Sequence, residues 1–246
     1  MARGIELGVP TEYGFELPRL RHALSRPYVP SGAGRLLDFG SGNGSNTVLF
    51  APDATAVVGV EVEPARVDDA IAQARRLGVD NVTYVVYDGH RLPFPDASFD
   101  HAISYEVLEH TADDGAALDE VARVLSPGAM LTLTVPNKWY LMETHGMHLR
   151  PTWVPWNRVP LLSWLPTRLH ERWAKARIYS RRRLLGLLAA HGFEVVEHRY
   201  LMPPLDRLAN ERARAVLRKL VQPLVDTPLR VVGVAHFVAA RNTRGT

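Results

Sequence analysis

The chain of 246 residues contains no cysteine. That absence removes disulfides, thiolate metal centres and a cysteine nucleophile, and it fits a reducing compartment. Chemistry must come from His, Asp, Glu or Tyr, or from backbone groups. No segment offers about 18 uninterrupted apolar residues, and the N-terminus lacks a basic stretch followed by an apolar run, so neither a spanning helix nor a secretory signal is expected. The cytoplasm is the expected location. Charge of one sign is not in large excess either: 29 Lys and Arg face 26 Asp and Glu, a formal net charge of +3. No separate nucleic-acid recognition module is visible, and repeats and low-complexity linkers are missing.

What is present is an ordinary globular composition, 46% hydrophobic and 22% charged, in a length suited to one core carrying an inserted cap. The cations are unevenly spread. Arg168, Arg172, Lys175, Arg177, Arg181, Arg182 and Arg183 face only Glu171 between positions 168 and 183, a local field suited to an anionic substrate, a phosphate-rich surface or water alone.

Prolines 10, 18, 27 and 30 break the first 34 residues into an arm or flap with a short helix around Phe15 to Ser25. The main domain is expected over 35–246. Short buried strands are expected at Arg35 to Phe39, Ala56 to Val62, Val82 to Tyr87, Phe99 to Tyr105 and Ala129 to Val135, the last behind a turn at Pro127-Gly128. Between them lie helices at Ser45 to Phe50, Ala65 to Leu77 and Asp114 to Leu125, with Pro64 in a first turn and Gly78 as a stop. Alternation of this kind implies parallel pairing with helices on both faces. The rhythm then fails over 136–178, rich in Trp, Pro and Arg and read as a substrate cap. Ser180 to Ala190 resumes it as a helix, Phe193 to Arg199 and Val231 to Ala240 are the last strands, and 201–230 forms a second, helical insert. There Ala209, Ala213, Val216, Leu217 and Leu220 make an apolar stripe opposite Arg207, Glu211, Arg214 and Arg218.

The most informative stretch is Leu37-Asp38-Phe39-Gly40-Ser41-Gly42-Asn43-Gly44. Its glycines let the backbone take positive φ and approach a ligand, or simply make a tight turn. No Lys-Ser or Lys-Thr follows, which argues against a phosphate loop, and Ser45 stands where a dinucleotide fingerprint wants Gly or Ala. Asp38 would oppose a pyrophosphate but could orient an ammonium group. Glu61, ending the second strand, could accept both hydroxyls of a ribose, and an exposed loop carboxylate is the competing reading; Pro64 places Glu63 in the turn. Asp88 in Tyr87-Asp88-Gly89-His90 could accept from an adenine amino group. Capping and surface ion pairs explain Glu106-x-x-Glu109-His110 more cheaply than a metal, so no metal site is expected.

Together these segments, with Leu92-Pro93-Phe94-Pro95-Asp96-Ala97-Ser98-Phe99-Asp100, Val107-Leu108-Glu109-His110 and Arg123-Val124-Leu125-Ser126-Pro127-Gly128, resemble the ubiquinone/menaquinone-biosynthesis type of class I S-adenosylmethionine-dependent methyltransferase, over about residues 35–135. The resemblance implies an α/β Rossmann-like fold with a seven-stranded, mostly parallel sheet of order 3-2-1-4-5-7-6, its seventh strand antiparallel, and S-adenosyl-L-methionine as cofactor. It places Asp38, Gly40 and Gly42 around the methionine part, Glu61 at the ribose, Asp88, Gly89 and His90 at the adenine, and Tyr105 near the methionine. The resemblance weakens after Val135 and carries no substrate; the acceptor expected is a small molecule, anionic or aromatic, methylated on O, N or C. A nucleic-acid methyltransferase and a catalytically silent cofactor-binding protein are the alternatives.

Methyl transfer needs an in-line approach and little else, so a base is optional. His145 and His148 in Glu143-Thr144-His145-Gly146-Met147-His148 are the base candidates, because this segment follows the fifth strand and can fold over the open end of the sheet. Tyr13, Trp139 and Tyr140 join them as substrate-binding candidates. Most of the tryptophans are expected in the core of the insert.

Overall fold

The structure is a computed structural model and describes residues 6–8, 16–149, 154–203, 205 and 210–245. Its centre is one seven-stranded sheet: β1 Ala33–Phe39, β2 Ala54–Glu61, β3 Val82–Val86, β4 Phe99–Tyr105, β5 Leu125–Pro136, β6 Phe193–Leu201 and β7 Ala235–Asn242, in the order β3-β2-β1-β4-β5-β7-β6. β1 to β5 pair in parallel, while β7 runs antiparallel to β5 and β6. The central strands are buried on both faces, as adjacent Leu36 and Leu37 on β1 show, because helices cover each side. The order and direction are those expected from the sequence.

Seven helices accompany the sheet among the described residues: α1 Glu16–Ser25, α2 Thr47–Phe50, α3 Pro64–Leu77, α4 Asp114–Val124, α5 Thr167–His170, α6 Arg181–Ala190 and α7 Glu211–Val221. Local chemistry sets their ends. α3 starts on Pro64 and stops at Gly78, whose φ of 66° is left-handed. Asp113 caps α4 by accepting from Gly115 and Ala116 N–H, and Ser180 caps α6 through Arg183 N–H.

Two expectations change. Pro127-Gly128 lies inside β5, not before it: the register against β4 jumps from Phe99↔Leu125 to His101↔Met130, so the dipeptide forms an irregularity in a longer strand. β7 starts at Ala235, since Pro228–Val232 forms a 3-10 turn first. The apolar stripe of the second insert is exposed. Val216, Leu217 and Leu220 stand 58%, 40% and 64% exposed on α7, which follows the chain into a 3-10 turn at Gln222–Asp226; Arg207 and Ala209 lie outside the described residues. No helix among the described residues is long and apolar enough to cross a membrane.

All the parallel strands point their C-terminal ends at one edge. The glycine loop, the turns after β2, β3 and β4, and both inserts leave the sheet there, the edge where open α/β sheets hold their ligands.

Candidate active site

β1 delivers the glycine loop. Gly40, Gly42 and Gly44 all have left-handed φ, at 80°, 54° and 82°. Glycine is needed for space as well: a Cβ on Gly40 would lie 2.4 Å from Val107 Cγ2, and one on Gly44 would lie 2.5 Å from the Tyr84 hydroxyl. Asp38 is buried and its Oδ2 accepts from Thr47 Oγ1 at 2.6 Å. Burial drives its carboxyl up to about 7, opposed by the Thr47 bond and assisted by the charge of Glu61. The bond from Thr47 to Oδ2 ties the loop to α2.

Glu61 ends β2, buried as a ribose-holding acid would need to be. Its Oε2 accepts from Gly42 N–H at 3.0 Å, and Oε1 accepts from Val62 and Glu63 N–H at 2.8 and 3.2 Å. A carboxylate has about four lone-pair sites; three donors leave one, and Arg66 Nη1 stands 4.0 Å from Oε2. Glu61 therefore sets the glycine loop against the second strand. Glu63 sits in the turn at the N-terminus of α3, as Pro64 implies. Asp88, Gly89 and His90 are exposed at the end of β3. Asp88 Oδ1 accepts from His90 and Arg91 N–H at 2.8 and 3.0 Å, and these donors hold its carboxyl below the usual range.

β4 ends differently from expectation. Tyr105 points away from the opening into the core beneath α1, 6% exposed, its hydroxyl 2.6 Å from Ser25 Oγ and 3.3 Å from Thr132 Oγ1. Strand alternation decides this: Tyr105 shares a face with Ile103, which packs in the same cluster with Val29, Leu36 and Phe50. The next residue, Glu106, has φ 58°, a costly conformation for a residue with a side chain. It aims the following turn at the glycine loop, where Val107 meets Gly40. Behind it Arg21, itself buried, stands 3.5 Å from Glu106.

That turn carries Glu109 and His110. Glu109 is fully buried, and burial followed by the charge of Glu106 pushes its carboxyl well above the usual carboxylate range. Glu109 Oε1 lies 3.9 Å from both His110 Nε2 and His145 Nε2, and the two imidazoles meet edge to face. Burial brings His110 down to about 4 and also lowers His145, so both are neutral near pH 7.

The strand order is the one expected from the sequence; the bracing of the glycine loop by Glu61 is what the structure adds. Residues 37–133 match the family model described as a methyltransferase domain. The core is a class I methyltransferase domain. It is 38% identical over 108 residues to the 27-O-demethylrifamycin SV methyltransferase of Amycolatopsis mediterranei, 43% of this chain and 40% of that protein. It is 34% identical over 98 residues to a demethylmenaquinone methyltransferase of Tropheryma whipplei, 40% of each. The chain thus spans about two fifths of the length of the curated relatives it matches. A solved S-adenosylmethionine dependent methyltransferase from Mesorhizobium loti has the same fold, with a TM-score of 0.62 over 92% of this chain and 97% of that one, at 21% identity.

The insert meets the methyltransferase domain at the turn after β4. Arg177 N–H donates to Glu109 O at 3.1 Å, and the Arg177 guanidinium bonds the carbonyls of Thr111 and Ala112. Of the two base candidates, only His145 reaches Glu109. His148 lies 3.5 Å from Glu6 Oε1 in the N-terminal arm, which Lys175 also pairs at 2.8 Å. Trp139 and Trp164 meet edge to face at the surface, 39% and 44% exposed, instead of forming a core. Tyr140 is half-buried and its carbonyl accepts from Ser163 Oγ at 2.6 Å; Tyr13 and Trp153 lie outside the described residues.

Sequence reasoning missed the groups that hold His145 in place. Glu143 and His170, both buried, pair at 2.7 Å, and Glu143 Oε1 accepts His145 N–H at 3.0 Å. The signal was an acid two residues before a histidine in a segment already singled out. Its partner 27 positions away carried none.

Proposed function

We propose that the chain transfers the methyl group of S-adenosylmethionine to an O, N or C atom of a small-molecule acceptor. The observation that carries this is the juxtaposition at one sheet edge of a glycine loop locked to Glu61 and a buried Glu109, His110 and His145 cluster. The loop, Glu61 and the exposed Asp88-Gly89-His90 turn would take the methionine, ribose and adenine portions in turn; Glu109, His110 and His145 would face the acceptor. The names of the curated relatives point to small molecules, and the residues over 136–178 would form the cap that holds one.

In the reaction the acceptor atom attacks the methyl carbon in line with sulfur. The bond to sulfur breaks, its electron pair stays on sulfur, and the sulfonium becomes a neutral thioether. An oxygen acceptor must also lose a proton, and neutral His145 offers a lone pair at Nε2 for it. His148, which stands 3.5 Å from Glu6 Oε1 and does not reach Glu109, is the weaker candidate. Three of the seven cations in the basic run support a small acceptor over a nucleic acid, because Lys175, Arg177 and Arg183 are paired within the chain and Arg177 serves backbone carbonyls, while Arg168, Arg172, Arg181 and Arg182 stay exposed.

The test is an acceptor-metabolite panel incubated with the chain and methyl-labelled S-adenosylmethionine, read by mass spectrometry, beside calorimetry with S-adenosylhomocysteine. A labelled product and specific binding are expected. Tight dinucleotide binding with no affinity for either methionine-derived ligand would overturn the reading.

A further inference from the structure

We propose that Glu109, His110 and His145 bind one divalent first-row metal ion at the acceptor end of the opening. One carboxylate and two imidazoles offer ligand atoms that all lie within 4.8 Å of one another. Bond lengths of about 2.0–2.2 Å for such donors require inward movements of only a few tenths of an ångström from these positions. The donor set, two nitrogens and one oxygen, suits zinc, iron, cobalt or manganese better than the harder calcium or magnesium.

Three further observations separate this cluster from a chance meeting of polar groups. Both carboxylate oxygens of Glu109 are buried and have no hydrogen-bond partner among the described residues. A buried acid left in that condition is costly in either protonation state, and a cation placed between the three groups satisfies it. Glu106 adds a second negative charge close enough to repel Glu109, which a cation also offsets.

The histidines, secondly, are turned to bind. His110 Nδ1 lies 2.6 Å from the Glu6 carbonyl oxygen, which only accepts, so Nδ1 carries the proton and the Nε2 lone pair faces Glu109. His145 Nδ1 lies 2.8 Å from Thr144 Oγ1, an acceptor available in the same way. Metal-bound histidines are held by just such an outer partner on the second nitrogen. Thirdly, His145 comes from the insert, and the buried Glu143–His170 pair fixes the backbone that presents it. The result is a site assembled across two segments, with its ligands supported from behind.

For its functional consequence this inference rests on the methyltransferase reading. A cation here would hold an acceptor oxygen and favour its ionised form, and His145 would then serve as ligand in place of proton acceptor. An acceptor with a hydroxyl, or two neighbouring oxygens, is the substrate class that fits.

The experiment uses the full chain without a histidine tag, stripped with a chelator and titrated with Co(II). Saturable one-to-one binding by calorimetry and visible ligand-field absorption are expected, with zinc competing. E109Q and H145Q should each weaken Co(II) by on the order of 10- to 100-fold or more, and E143Q by a smaller factor, while S-adenosylhomocysteine affinity stays within about twofold. If E109Q fails to fold, H145Q on the part-exposed loop carries the test alone. Absence of saturable Co(II) binding in a wild-type chain that binds S-adenosylhomocysteine would overturn the proposal, as would H145Q binding Co(II) as tightly as wild type. Saturable Co(II) binding without S-adenosylhomocysteine binding would instead leave the metal site standing and overturn the methyltransferase reading.

Discussion

Replacing Glu61 with Ala removes a buried carboxylate that accepts three backbone N–H groups. A hydrogen bond to a charged group contributes about 1.5–3 kcal/mol net, but the three are not equal. Val62 and Glu63 N–H share Oε1 in a part-buried turn that water can reach, whereas the Gly42 bond is buried and its donor would be left unpaired. The loss should therefore be about 2–4 kcal/mol, well short of three full bonds, which at this chain length lowers Tm by roughly 5–15 °C. Cofactor affinity should fall as well, by roughly 10- to 150-fold if the carboxylate also holds the ribose hydroxyls. Denaturant unfolding measures the first effect and calorimetry with S-adenosylhomocysteine the second. Glu63→Ala is the control, because that side chain has no role in bracing the loop. If E61A unfolds at the wild-type denaturant concentration, Glu61 does not brace the loop; if it binds the ligand as wild type does, the acid has no part in the ribose site.

Gly40→Ala should lose about 1–2 kcal/mol from the left-handed backbone alone, plus the clash of its Cβ at 2.4 Å from Val107 Cγ2. Adding Val107→Ala should recover the clash and not the backbone part, as thermal melts of the two variants would show. His198 and His236, whose ring nitrogens meet at 2.9 Å, contribute stability that is lost as pH drops from about 6.5 to about 4, because burial, and for His198 the neighbouring His236, holds both imidazoles down to about 4; the raised carboxyls of Asp38 and Glu109 act in the opposite direction. The unfolded chain takes up protons in that window and the folded chain does not, a linkage on the order of 3 kcal/mol for His236. In His236→Gln the difference in stability between pH 7 and 4.5 should lose that contribution, read from denaturant unfolding at the two pH values; an unchanged pH slope would remove the pair as a contributor. Once an acceptor is known, His145→Gln should lower the single-turnover rate at cofactor saturation while His148→Gln has the smaller effect. Equal rates for the two variants would refute the placement of His145 at the acceptor.

Residues 35–135 were legible because the information there is local. Pro64 and Gly78 bracket one helix, the three glycines announce positive φ, and the acids follow strand ends at a repeating interval. Tyr105 was misread because proximity along the chain says nothing about which face of β4 a side chain takes; its neighbours Leu36 and Phe50 settle that only in three dimensions. The stripe on α7 stands exposed. An amphipathic pattern records a preference for burial without recording whether a partner surface exists in the same chain. Glu109 was dismissed because the motif around it explains itself as a turn, and its significance comes from His145, 36 positions away and in a different segment.

The basic run from Arg168 to Arg183 shows how a composition signal divides once geometry is known. Read along the sequence it is one field awaiting an anion. In the structure Lys175 pairs with Glu6, Arg183 pairs with Glu171, and Arg177 serves two carbonyls of the stretch after the β4 turn; Arg168, Arg172, Arg181 and Arg182 remain exposed. The paired cations fasten the insert to the arm and to the domain, so their charge is largely spent before an acceptor arrives. In the function proposed, what would face the acceptor is a small cluster of imidazoles around a buried acid. Selection at this opening should accordingly turn on oxygen or nitrogen lone pairs held at short range, with net acceptor charge secondary, because long-range attraction from the exposed arginines is screened at ordinary salt over about 8–10 Å whereas groups inside the cluster are not.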